Sequence, residues 1–227
     1  MKTVYICGDS FGCRDPKYPG LSWHEKLELK LTNVAKVVNL SLVCASNLVI
    51  GLQARRAINK HADFIICLGT SSLREEAAVG INATTSELLD RFIDITDPTT
   101  GNKDLISYTF LNIDTPYMAP HNRLVTDYYT SLVSLDIMAY KNSCIIENTL
   151  QHLVDSGIPF LFDQGGFEHP SYSDIQPTPY FQKYQQYISK INLWDHVPIR
   201  TKRPYFHLVD DQLTTDIADY YYNCITQ

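Results

Sequence analysis

The stretch Val4-Tyr-Ile-Cys-Gly-Asp-Ser-Phe-Gly-Cys13 runs apolar for four residues, then breaks at Gly8-Asp9-Ser10 before a second glycine. A short apolar run that stops at turn residues reads as a buried strand. The turn after it carries a hydroxyl between Gly8 and Gly12, where the backbone can bend sharply and be approached closely. On its own the stretch fits a plain turn, a phosphate cradle or a nucleophile. A phosphate loop needs more glycine and a lysine, and neither is here.

Working outward, the same strand-then-turn pattern repeats. Residues 3–7, 35–39 and 63–68 ("DFIICL") read as strands. Between them Ser22 to Leu31 reads as a helix opened by Ser22 with Glu25 three residues on, and Ser46 to Lys60 reads as a second helix. A β-α-β-α-β alternation predicts an α/β fold, a parallel sheet with helices on both faces. Further along, Thr85 to Ile95 looks helical and Thr96 to Lys103 is a turn-rich break. Leu105 to Ile113 reads either as extended or as part of an insertion, at about 96–121, packing over the sheet edge. A long helical pattern from Val125 to Asp155 stops at Gly157 before Pro159. A strand at 159–163, a helix near Phe181 to Lys190, a short strand at 191–194 and a last helix from Asp210 to Cys224 complete a sheet of five strands. No repeat or linker divides residues 1–227, so one domain is expected.

Composition excludes several function classes. The chain has 227 residues, 44% of them hydrophobic, which suffices for a packed core. Its formal net charge is -6, and the sole basic cluster is Arg200-Thr-Lys-Arg203, so nucleic acid is not an expected partner. No apolar run has the length of a membrane helix, and the start goes directly into a strand rather than a signal-peptide core, which predicts a cytoplasmic protein. Six cysteines are scattered without a C-x-x-C pair. Cys7 and Cys67, in strand-like runs, are expected as buried reduced thiols in adjacent strands. The histidines are isolated, and the most tempting pair, His169 and His196, lacks a third partner, so neither a metal nor a cofactor is expected.

In an open parallel sheet the functional crevice lies beyond the carboxyl ends of the strands, where Ser10, the Ser41 to Ser46 loop and Gly69 to Ser72 fall. Together with Asn39, Asn47 and His207 before the last helix, these blocks resemble the SGNH, or GDSL-like, hydrolases over nearly the whole chain. The resemblance implies a three-layer flavodoxin-like fold and a serine esterase, lipase or carbohydrate deacetylase. Ser10 and His207 would be nucleophile and base, since a serine hydroxyl needs a group titrating near neutrality to take its proton.

The resemblance also implies an oxyanion site of backbone and side-chain donors, and here this chain departs from the family pattern. Cys44 stands at the loop-two glycine and still offers a backbone N–H. Ser71 or Ser72 stands where loop three carries asparagine, with Arg74 or Asn47 as substitute donors. Pro204 occupies the position of the acid three residues before the histidine, so a Ser/His dyad is expected ahead of a triad completed by Asp195. The expected partner is a small ester or an O-acetylated carbohydrate, with a protein partner or a second copy of the chain as a further expectation. The aromatic run after residue 160 suits sugar stacking, protein contact or core packing alike. The alternative function is an SGNH-like binding or structural protein with attenuated catalysis. Compact chains with a substituted loop three are similar to proteins of bacteriophages, which would make this one a virion component.

Overall fold

In the computed structural model the described residues are 1–15, 18–42, 45–70, 135–164, 183–191, 193 and 210–227. Among them the order of elements is β1 (Lys2–Cys7), a 3-10 turn (Ser10–Gly12), α1 (Trp23–Leu31), β2 (Ala35–Asn39), α2 (Asn47–Asn59), β3 (Phe64–Leu68), α3 (Leu135–Ser156), β4 (Phe160–Asp163), a 3-10 turn (Gln185–Tyr187) and α4 (Asp211–Thr226). The strands form one parallel sheet in the order β2-β1-β3-β4. This matches the first four places of the doubly wound order 2-1-3-4-5, whose switch point lies between β1 and β3.

Strand alternation sends successive side chains to opposite faces, and each face has its own core. Tyr5, Cys7, Ile65, Cys67, Phe160 and Phe162 pack with Val49, Ile50, Ala54 and Ala57 of α2 and Ile146, Leu150 and Leu153 of α3. Val4, Ile6, Ile66 and Leu68 pack with Trp23, Leu27 and Leu31 of α1 and Ile217, Ala218, Tyr221 and Ile225 of α4. Because both faces are covered, the strands are near-continuous apolar runs rather than alternating ones. The result is three layers of helix, sheet and helix.

Local signals set the helix ends. Ser22 and Glu25 form the reciprocal capping box expected at α1, and Ser46 Oγ accepts from Val49 N–H at α2; each such cap contributes about 1 kcal/mol. Gly157 takes φ +67 after α3, a conformation that glycine adopts without strain. Lys26 and Lys30 of α1 form ion pairs at 2.6 Å with Asp211 and Asp219 of α4.

The expected strand at 191–194 is the principal correction: among the described residues the sheet has four strands, not five, and of that segment only Ile191 and Leu193 are described. Its fifth place holds a single parallel bridge, Phe162 to Ile188, with Ser189 N–H donating to Phe162 O at 2.7 Å. Side chains then take the following amides. Lys190 N–H donates to Tyr220 Oη at 2.9 Å, Ile191 N–H to Ser189 Oγ at 3.1 Å, and Leu193 N–H to Asp163 Oδ2 at 3.0 Å. With their amides used this way, Ile191 and Leu193 do not donate to the ladder along β4. The helix expected through Lys190 is likewise cut short, because Ile188 turns extended after the 3-10 turn to reach Phe162.

Of the long helix expected from Val125, Leu135–Ser156 is present, and 125–134 lies outside the described residues. The helix at 85–95 and the insertion at 96–121 lie outside them as well. Cys7 and Cys67 are register partners on β1 and β3, buried and unpaired by any disulfide, as expected. No helix among the described residues is long and apolar enough to cross a membrane.

Candidate functional site

Ser10 leaves the carboxyl end of β1, flanked by β2 and β3, on the switch-point side of the sheet. It begins the 3-10 turn and is 8% exposed. The turn is braced from all sides. Gly8 N–H donates to Gln53 Oε1 at 2.6 Å, and Gly8 O accepts from Gln53 Nε2 at 3.3 Å and from Leu42 N–H at 3.0 Å. Asp9 O accepts from Gly12 N–H, and Ser10 O from Cys13 N–H. Phe11 O accepts from Trp23 Nε1 at 2.8 Å, and Gly12 O from Asn39 Nδ2 at 2.6 Å. Loop one, loop two and the first turn of α1 are thereby joined around one serine. Among the described residues, no group accepts from the Ser10 N–H or bonds its hydroxyl.

Asp9 is fully buried and acts as the hub of loops one and three. Its Oδ1 accepts from Phe11 N–H at 2.9 Å, and its Oδ2 accepts from the Thr70 hydroxyl at 2.6 Å. The short second distance is that of a charge-assisted bond to a carboxylate. Thr70 is itself held by Asn47, whose Oδ1 accepts from Thr70 N–H at 3.0 Å and whose Nδ2 donates to Thr70 O at 3.1 Å. The remaining Nδ2 hydrogen goes to Asn142 Oδ1 of α3 at 2.9 Å.

Close backbone approach completes the site. A Cβ on Gly69 would stand 2.9 Å from Asp163 O and 3.0 Å from Gln164 O, so loop three can leave β3 along β4 with glycine there alone. A Cβ on Gly12 would meet Ser41 Oγ at 2.1 Å and Ser41 Cβ at 2.8 Å, which ties the serine turn to loop two.

Of the site residues expected from the sequence, the structure places Ser10 and Asn47. Asn47 is buried with both amide hydrogens engaged, so its carboxamide holds the Thr70 backbone. Cys44, Ser71, Ser72, Arg74, Asp195 and His207 lie outside the described residues. Gln53, Thr70 and Asn142 are site-building residues that the sequence reading missed. Two of them carried a signal. Gln53 interrupts the apolar stripe Val49, Ile50, Ala54, Ala57 of α2, and Asn142 interrupts Met138, Ile146, Leu150, Leu153 of α3. A polar residue on a buried stripe needs a partner, since an unpaired one costs several kcal/mol.

Electrostatics near the turn are those of a dry interior. Burial pushes the Cys7 thiol well above its ordinary range, with Cys67 adding to the effect. Cys67 is pushed up to about 12 by burial and by the nearby Asp163 carboxylate. Both thiols are therefore neutral fillers beneath the turn. His24, on α1 behind the turn, is pushed down by burial, and a hydrogen bond to the Cys13 backbone opposes that shift. Among the described residues no three His, Cys, Asp or Glu side chains are grouped to hold a metal ion.

No protein-family model matches the chain, and no curated protein matches it.

Proposed function

We propose that the chain is a serine hydrolase of the SGNH type, cleaving a small carboxylic ester or removing an O-acetyl group from a carbohydrate, with Ser10 as nucleophile and His207 as base. The observation that carries this reading is the state of Ser10. In a turn whose surrounding backbone groups are engaged, its hydroxyl and its amide are the donors without a protein partner among the described residues. A turn built for packing alone gains nothing by leaving both open at 8% exposure. A nucleophile needs both, the hydroxyl to attack and the amide to receive the oxyanion.

The position of α4 supports the assignment of His207. The first turn of α1 links the serine turn to the start of α4: Trp23 Nε1 donates to Phe11 O beside Ser10, while Lys26 Nζ donates to Asp211 O at 2.5 Å and Asp211 Oδ1 at 2.6 Å. His207 precedes Asp210, the N-cap of α4, by three residues. In the proposed reaction, Ser10 Oγ attacks the carbonyl carbon as its proton passes to the His207 imidazole. The carbonyl oxygen takes the negative charge against the Ser10 N–H. Collapse expels the alcohol, which receives the proton from His207, and water then cleaves the acyl-serine by the same steps in reverse.

The test is a fluorophosphonate serine probe, which requires an activated hydroxyl and no knowledge of the acyl group. A mass adduct on the peptide holding Ser10, lost in Ser10→Ala and in His207→Ala, is expected. Absence of an adduct on wild-type protein, with nitrophenyl acetate turnover equal in wild type and Ser10→Ala, refutes the hydrolase and leaves the binding or structural protein.

A further inference from the structure

We infer that Thr70 is a positioning residue for the Ser10 turn, acting through the Asp9 carboxylate; the inference rests on the reading of Ser10 as the acting group. A threonine at the mouth of loop three has no local reason to be fully buried, yet Thr70 is 0% exposed and each of its polar groups is directed to a partner. Its N–H and C=O are taken by the Asn47 carboxamide, which fixes the backbone at this point. Its hydroxyl donates to Asp9 Oδ2 at 2.6 Å. The other carboxylate oxygen holds Phe11 N–H at 2.9 Å, and that amide is the one next after Ser10. A chain of three contacts therefore runs from α2 through loop three to the backbone that aims the serine.

The direction of the donors makes the chain cooperative. Asn142 accepts from Asn47, Asn47 clamps Thr70, and Thr70 donates into a carboxylate. Such buried networks stiffen what they hold, provided that every member is satisfied. Thr70 is fully buried with its polar groups engaged, so it acts on the serine's orientation rather than on the reacting atoms. Small misplacements of a nucleophile carry large rate penalties, whereas affinity for a bound reagent responds little.

The experiment compares Thr70→Val, which keeps the shape and removes the hydroxyl, with Thr70→Ser, which keeps the hydroxyl, in the full chain. Two readouts are taken: the saturating rate and half-saturation concentration of fluorophosphonate labelling at Ser10, and hydrogen exchange over residues 8–13. Losing a hydrogen bond to a buried charge predicts labelling about 10- to 100-fold slower in Thr70→Val, with the half-saturation concentration changed less than about twofold. Thr70→Ser is expected within about threefold of wild type, and exchange over residues 8–13 is expected to quicken at least about tenfold in Thr70→Val alone. Thr70→Val labelling at the wild-type rate with unchanged exchange overturns the inference, as does a loss that Thr70→Ser does not restore. If wild type does not label at all, the hydrolase reading fails and the exchange comparison alone decides whether Thr70 holds the turn. Should Thr70→Val not fold, Thr70→Ala is read by the same two measurements.

Discussion

Replacing Gln53 should unfold this protein more readily than its place in the middle of a helix suggests. Gln53 is 0% exposed, and its carboxamide imitates a neighbouring strand by pairing with both Gly8 N–H and Gly8 O. In Gln53→Ala the Gly8 carbonyl keeps Leu42 N–H, but the buried Gly8 N–H loses its acceptor. An orphaned buried donor costs about 1–3 kcal/mol, and the lost methylene adds about 0.8 kcal/mol. The sum is about 3 kcal/mol. Gln53→Met fills the volume without an acceptor and should lose only the polar part, about 1–3 kcal/mol. Urea unfolding followed by circular dichroism measures both. With m of about 2–3 kcal/mol/M, the midpoint of Gln53→Ala should fall by about 1 M at unchanged m. A loss under about 0.5 kcal/mol in Gln53→Ala, or a Gln53→Met variant as stable as wild type, would show that the pairing with Gly8 stabilises nothing.

Three further outcomes are expected. Gly12→Ala drives a Cβ to 2.1 Å from Ser41 Oγ and should cost about 1–3 kcal/mol, with Ser41→Gly restoring most of it in the double variant; additive losses in urea melts contradict the close approach. His24 is pushed below its ordinary value in the folded chain, so below about pH 6.5 the unfolded state binds the proton first. Stability should therefore decline as pH falls from about 6.5 toward the folded value, then level, and His24→Gln should flatten that part of the pH profile; an unaltered profile counts against burial as the cause. Native alkylation at pH 8 should modify exposed Cys144 and spare Cys7 and Cys67, so adducts on either strand thiol in folded protein would contradict their burial.

Local chemistry alone determined the strands at 2–7, 35–39, 64–68 and 160–163, the caps at Ser22 and Ser46, and the stop at Gly157, because periodicity and capping act between residues a few positions apart. It also placed Ser10 at a strand end, since Gly8-Asp9-Ser10 interrupts an apolar run. Tertiary structure decided what a residue does once it is there. Asn47 looked like a donor for a ligand, and Thr70, 23 residues away in the chain, uses up its carboxamide. Gln53 stands out only as a polar residue on the apolar stripe of α2, and its partner, Gly8, 45 positions away, is supplied by the fold. The fifth strand, absent among the described residues, turns on the same kind of pairing. Ile188 reaches Phe162, but the amides that would continue the ladder are captured by Tyr220, Ser189 and Asp163. Apolar patterning repeats along the chain and is legible there, whereas a buried polar group is satisfied by whichever partner the folded chain brings within about 3 Å, and that pairing leaves no period to read.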